Sequence, residues 1–179
     1  MTTANKITIF RVALIPVFLL LAYAGLRYWA LAVFVIASLS DMADGYIARH
    51  YNQITDFGKF MDPLADKVLV MAAMCYFVEA GRMPGWTLAI VLLREFAVSG
   101  MRLVAVEQGR VIAAARSGKI KTAATMVCLC LMLFYGPPKP WDSAPDLIAQ
   151  FSTAVILVTT VFSGVEYFWK NRDVFRHVD

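Results

Sequence analysis

Asp41, Asp44, Asp62 and Asp66 fall within one 26-residue stretch, D-M-A-D-G-Y-I-A-R, eight residues, then G-K-F-M-D-P-L-A-D. If the stretch is helical, Asp41 and Asp44 are i,i+3 and share a face, and Asp62 and Asp66 are i,i+4 and share another. Gly45 and Ala48 continue the first face and Gly58 precedes the second by a turn. Both faces are therefore lined by carboxylates and otherwise nearly bare, which lets a bulky ligand approach the backbone. Arg49 follows where it can meet a phosphate. The donors are oxygen only, since His50 and His177 are not placed to join them and no cysteine is near. Such a set suits Mg²⁺ or Mn²⁺ rather than Zn²⁺. Four carboxylates can hold two ions, which clamp the attacking and leaving oxygens of a phosphoryl displacement. Asp62 before Pro63 also has the form of an N-cap with proline in the first helical position.

These acids close one apolar run and open the next. A carboxylate at the centre of a membrane helix costs about 2.5–3.5 kcal/mol, so a bound cation and phosphate are the natural offset. The 179 residues are 60% hydrophobic, and the excess falls in blocks long enough to span a bilayer. The chain reads as a single all-α domain, 1–179, embedded in a membrane. Residues 1–11 predict a short interfacial helix. Six spans follow, near 12–25 (Pro16 close to its start), 28–49, 58–80, 86–106, 118–135 and 147–169. G-R-M-P-G (81–85) and G-P-P-K-P-W-D-S-A-P (136–145) are turn and loop.

The net charge of +4 speaks to topology and anionic head groups, not nucleic acid. Thirteen basic residues fall on the side of the termini and the 2–3 and 4–5 connections, against Arg27, Arg82 and Lys139 on the other. The imbalance puts both termini and the aspartates at the cytoplasmic face. The first apolar block lacks a signal-peptidase pattern and is expected to stay as a span. Cys75, Cys128 and Cys130 lie in apolar runs and read as core or lipid-facing residues.

The pattern D-x2-D-G-x2-A-R-x8-G-x3-D-x3-D resembles the signature of the CDP-alcohol phosphotransferases, with every fixed position present. The resemblance implies six transmembrane helices, a homodimer and displacement of CMP from a CDP-linked lipid or alcohol. It implies that Asp41, Asp44, Asp62 and Asp66 hold the metal ions and that Asp66 is the base for the acceptor hydroxyl. Asp44, Gly45, Ala48, Arg49 and Gly58 would line the CMP site. An alcohol of high pKa does need a carboxylate or a metal to lose its proton, and positioning with charge stabilisation carries most of phosphoryl transfer.

The acceptor must be read from elsewhere in the chain. Arg94, Arg102, Lys119 and Lys121, with Lys67 beside Asp66, make a cationic set suited to an anionic acceptor. Arg94 stands in an apolar run next to Glu95; adjacent residues diverge on a helix, so each is expected to reach a different helix. The stretches 5–11, 58–67, 94–102, 118–126 and 163–168 are similar to bacterial members of the family that use sn-glycerol 3-phosphate. That likeness implies CDP-diacylglycerol as donor and the bacterial cytoplasmic membrane as location. Three alternatives stay open at this point: another acceptor (inositol phosphate, serine or phosphatidylglycerol), a divalent-cation transporter, and a non-catalytic scaffold.

Overall fold

The structure is a computed structural model that describes the backbone of residues 3–50, 56–109, 112, 115–137 and 146–172, and the side chains of these outside 3–8, 41–50 and 56–66. Among the described residues it is all helix: α1 (Thr3–Tyr23), α2 (Arg27–His50), α3 (Asp56–Glu79), α4 (Gly85–Glu107), α5 (Arg116–Tyr135) and α6 (Leu147–Lys170). The boundaries match the expected spans closely except at the N-terminus. There the expected interfacial helix and first span form one unbroken helix, with Pro16 in its interior. No breaker precedes Pro16, and a proline inside an apolar helix forfeits a single backbone bond that neighbours can offset. Arg11, expected at the interface, is wholly buried in the bundle.

Each helix turns a stripe of small and apolar side chains inward. On α1 the stripe is Arg11, Ile15, Phe18 and Ala22, at helical spacing; on α2 it is Ala30, Phe34 and Ala37. The Phe18 and Phe34 rings meet with centroids 5.6 Å apart. The α5–α6 and α1–α2 contacts are the most extensive. Ser152, Thr153, Thr160 and Ser163 of α6 are buried, the small polar residues that let helices approach closely in lipid. Hydroxyls that cannot reach another helix fold back onto their own, as Thr125 does on Lys121 O at 2.9 Å. The outward faces are just as apolar, with Leu20, Trp29, Leu93, Phe96, Phe162 and Trp169 exposed. α5 and α6 are long and apolar enough to cross a membrane, and α1 and α2 carry shorter apolar runs, Ile9–Tyr23 and Arg27–Ser40.

Around the bundle the order of contacts is α1, α2, α5, α6, α4, α3 and back to α1. The α2–α3 contact across this ring is slight. The two acid-bearing helices are thus neighbours that both pack on α1.

The opposite end is closed by polar clamps. Arg27 Nη1 donates to Tyr135 O at 3.0 Å. Gly136 caps α5 at φ 66°, and a side chain there would run into the Arg27 guanidinium. Tyr23 donates to Glu79. Arg82 Nε reaches Asp146 Oδ2 and Arg82 Nη1 reaches Met132 O, both at 2.6 Å. Asp146 also N-caps α6, accepting from Ala149 N at 2.9 Å. Burial pushes the Asp146 carboxyl up, but the Arg82 hydrogen bond, the Ala149 N–H and the Arg82 charge together hold it below the ordinary carboxylate range. Its stabilisation is therefore complete above the unfolded carboxyl value of about 3.9 and is lost as pH falls through the lower folded value. In detergent, the gap in unfolding midpoint between the wild type and Asp146→Asn should be constant from pH 5 to 8 and should close below about pH 4. A gap that persists unchanged into that acid range counts against the clamp.

Candidate functional site

Asp41, Asp44, Gly45, Ala48 and Arg49 fall in the last turns of α2, and Gly58, Asp62 and Asp66 in the first turns of α3. Both stretches are helical, so the i,i+3 and i,i+4 registers hold on the backbone. α3 begins at Asp56, six residues before Asp62; Asp62 is inside the helix and is not its N-cap. The side chains of residues 41–66 lie outside the described residues. The donor set on these two neighbouring helices is all carboxylate, which fits a hard divalent cation. No cluster of potential metal ligands occurs among the described residues.

A cavity of about 920 Å³ opens directly beside those turns. Ser38 and Leu39 of α2 line it one turn before Asp41, and Lys67 of α3 lines it immediately after Asp66. α4 contributes Arg94, Glu95 and Arg102, α5 contributes Lys119, and α6 contributes Tyr167. Four of the five expected acceptor-side cations, Lys67, Arg94, Arg102 and Lys119, therefore share one cavity. The rest of its wall is apolar, including Val98, Met126 and Val127. One side suits a charged group and the other an acyl chain, and the volume is within the range of small-molecule sites.

Lys121 behaves differently. It is buried, with its Nζ 2.7 Å from Glu95 Oε1, and it lines a small neighbouring pocket instead. Glu95 also takes Arg94 Nη1 at 2.9 Å and faces Lys67 Nζ at 3.7 Å. Glu95 thus reaches other helices as expected, meeting Lys121 of α5 and Lys67 of α3; what the expectation missed is that Arg94 and Glu95 also meet each other. Adjacent residues diverge at the backbone, but both side chains are long enough to bend back and meet beside Lys121. Lys67 Nζ also donates to Ser99 Oγ at 2.7 Å. Arg102 Nε donates to the Tyr167 hydroxyl at 3.2 Å, with its guanidinium 5.6 Å from the Tyr167 ring centre.

Glu95, Ser99 and Tyr167 were not among the expected site residues. Glu95 had a signal, a carboxylate inside an apolar run. Ser99 and Tyr167 had only their place in the stretches 94–102 and 163–168, because a serine or tyrosine on a membrane helix is ordinary until its partner is known. Glu95 neutralises cations from three helices, and removing one member of such a buried group leaves uncompensated charge. Glu95→Ala should destabilise the protein by about 3–5 kcal/mol, read from unfolding in detergent, and adding Lys121→Met should recover part of that loss. Equal stability of Glu95→Ala and wild type would rule out the cluster as a structural tie.

Known proteins resemble this chain along most of its length. Residues 1–165 match the sequence model of the CDP-alcohol phosphatidyltransferase family. The chain is 42% identical to the CDP-diacylglycerol--glycerol-3-phosphate 3-phosphatidyltransferase of Bacillus subtilis strain 168, with 93% of each chain covered. It is 38% identical to the protein of that name from Escherichia coli K12, over 90% of each. A probable phosphatidylglycerophosphate synthase of Mycobacterium tuberculosis H37Rv is 35% identical over 92% of this chain and 78% of its own length.

Proposed function

This chain belongs to the CDP-alcohol phosphatidyltransferase family, and from that premise we propose that it transfers the phosphatidyl group of CDP-diacylglycerol to sn-glycerol 3-phosphate, giving phosphatidylglycerol phosphate and CMP. The observation that carries the choice of acceptor is the convergence of Lys67, Arg94, Arg102 and Lys119 on one cavity adjoining the aspartate-bearing turns. A neutral acceptor would leave four cations on one cavity, Lys67 and Arg94 half-buried and Arg102 and Lys119 exposed, with one carboxylate among them. A dianionic phosphate balances them.

In the proposed step the acceptor hydroxyl oxygen bonds to the lipid-side phosphorus. The bond from that phosphorus to the bridging oxygen breaks, and CMP leaves with that oxygen. The Asp66 carboxylate takes the hydroxyl proton. Family members use divalent metal ions; we assign Asp41, Asp44, Asp62 and Asp66 as the residues that would hold two ions, Mg²⁺ or Mn²⁺. Bound there, the ions neutralise the pyrophosphate and the departing CMP. Gly45, Ala48 and Gly58 leave the backbone open to the cytidine nucleotide, Asp44 shares that contact, and Arg49 meets its phosphate. Arg94, Arg102, Lys119 and Lys67 orient the acceptor phosphate, so that the hydroxyl faces the phosphorus. Lys121 supports this set through Glu95. The same reading takes all six helices across a bacterial cytoplasmic membrane as one embedded domain, with both termini and the active site on the cytoplasmic side, in a homodimer. The basic-residue bias and the apolar outward faces support it.

CMP release from CDP-diacylglycerol should occur with glycerol 3-phosphate and not with serine, inositol phosphate or phosphatidylglycerol, and should stop when a chelator removes divalent cations. Release with one of those other acceptors and none with glycerol 3-phosphate would overturn the assignment. Asp66→Asn should lower kcat by about 10²–10⁴-fold, the range for loss of a general base. Arg102→Ala should raise KM for glycerol 3-phosphate by roughly 10- to 100-fold, as expected for a hydrogen bond to a charged group, with KM for CDP-diacylglycerol unchanged. A change confined to CDP-diacylglycerol would instead place Arg102 on the donor side.

A further inference from the structure

Arg94 starts on α4 and reaches the cavity between α5 and α6, past one glycine on each. A Cβ added to Gly164 of α6 would lie 3.2 Å from Arg94 Cγ, and one added to Gly118 of α5 would lie 3.4 Å from Arg94 Nη2. Carbon atoms in ordinary contact stand about 3.5–4.0 Å apart, so alanine at 164 requires Arg94 to move. The atom in its way is the middle of the side chain, not a flexible tip. The guanidinium end is held by Glu95 at 2.9 Å, and the Arg94 side chain is largely buried. The displacement therefore passes along the chain to the guanidinium.

A glycine facing a neighbouring helix usually serves close approach of two backbones. That explanation does not apply to Gly164: among the described residues, Arg94 Cγ is the one atom within 4 Å of the added Cβ. Gly164 is in helix, so it is not required for a left-handed backbone either. One turn further along α6, Tyr167 holds Arg102 by its hydroxyl and ring. The same face of α6 thus offers a space to one arginine and a support to the other.

We propose that Gly164 is a positioning residue: its missing side chain sets how far Arg94 extends into the cavity, and so sets affinity for the phosphate of the acceptor. The proposal rests on the acceptor reading given above. Purified full-length protein in detergent micelles separates the two. Arg94→Ala tests the acceptor reading and should raise KM for glycerol 3-phosphate; no change there overturns that reading. Given that rise, Gly164→Ala should increase KM for glycerol 3-phosphate about tenfold, with kcat and KM for CDP-diacylglycerol within about twofold of wild type. Gly118→Ala, whose new methyl would only touch the guanidinium, should have a smaller effect. Gly100→Ala, with nothing within 4 Å of its Cβ, should have none. In an Arg94→Ala background, Gly164→Ala should change nothing further, the non-additivity of two residues acting through one contact. An unchanged acceptor KM in Gly164→Ala overturns the proposal, as does an effect that persists in the Arg94→Ala background. If Gly164→Ala alone does not fold, recovery of folded protein by adding Arg94→Ala still assigns the contact, and failure to recover it overturns the proposal.

Discussion

The cationic wall of the cavity depends on one carboxylate. In a medium of low dielectric, like charges brought together repel strongly and each pays heavily for leaving water. Glu95 offsets this for Lys67, Arg94 and Lys121, which come from α3, α4 and α5. The ring order separates α4 from α5 by α6, so the Lys121–Glu95 pair ties helices that are not direct neighbours and fixes their rotation relative to one another. One full charge is neutralised while the cavity stays positive. The buried Lys121 serves as counter-ion, and the cations lining the cavity keep capacity for an incoming anion.

The helix order also sets where the cavity lies relative to the acid-bearing turns. α1 packs on both α2 and α3. The cavity lined by Ser38, Leu39 and Lys67 adjoins the turns that carry the acids. Its lining mixes the cations Lys67, Arg94, Arg102 and Lys119 of α3, α4 and α5 with apolar side chains, among them Leu39, Val98, Met126 and Val127.

Much of the helical layout was legible in the sequence, because apolar blocks of spanning length and their turn residues leave little freedom. The N-terminus was misdivided for a physical reason: Lys6 and Arg11 look interfacial in sequence, yet Arg11 is buried, and a buried arginine differs from a surface one only through contacts that sequence does not display. The aspartate pattern was visible because its spacing is local to two helices. The cationic set was legible as residue types, and the cavity gathers Lys67, Arg94, Arg102 and Lys119 from three helices. Its division of labour was not legible. That Lys121 serves Glu95, that Arg94 folds back on its neighbour and that Tyr167 holds Arg102 depend on how α4, α5 and α6 are rotated. The roles of Gly118 and Gly164 were hidden for the same reason, since a glycine's function here is the space it leaves for a residue on another helix.

The clamps at the far end join the helices mainly through backbone carbonyls. Arg27 to Tyr135 O, Arg82 to Met132 O and Asp146, and Tyr76 to Ala22 O all join helix ends there. At the functional end the ties run between side chains, Lys67 to Ser99, Arg102 to Tyr167 and the ion pairs of Glu95. A 20-residue helix is about 30 Å long. Tilting it by about 5° around its clamped end leaves that end almost still and carries the other by roughly 2.6 Å over the same length. Any tilt about the clamped ends would therefore be felt most at the end where the cavity opens.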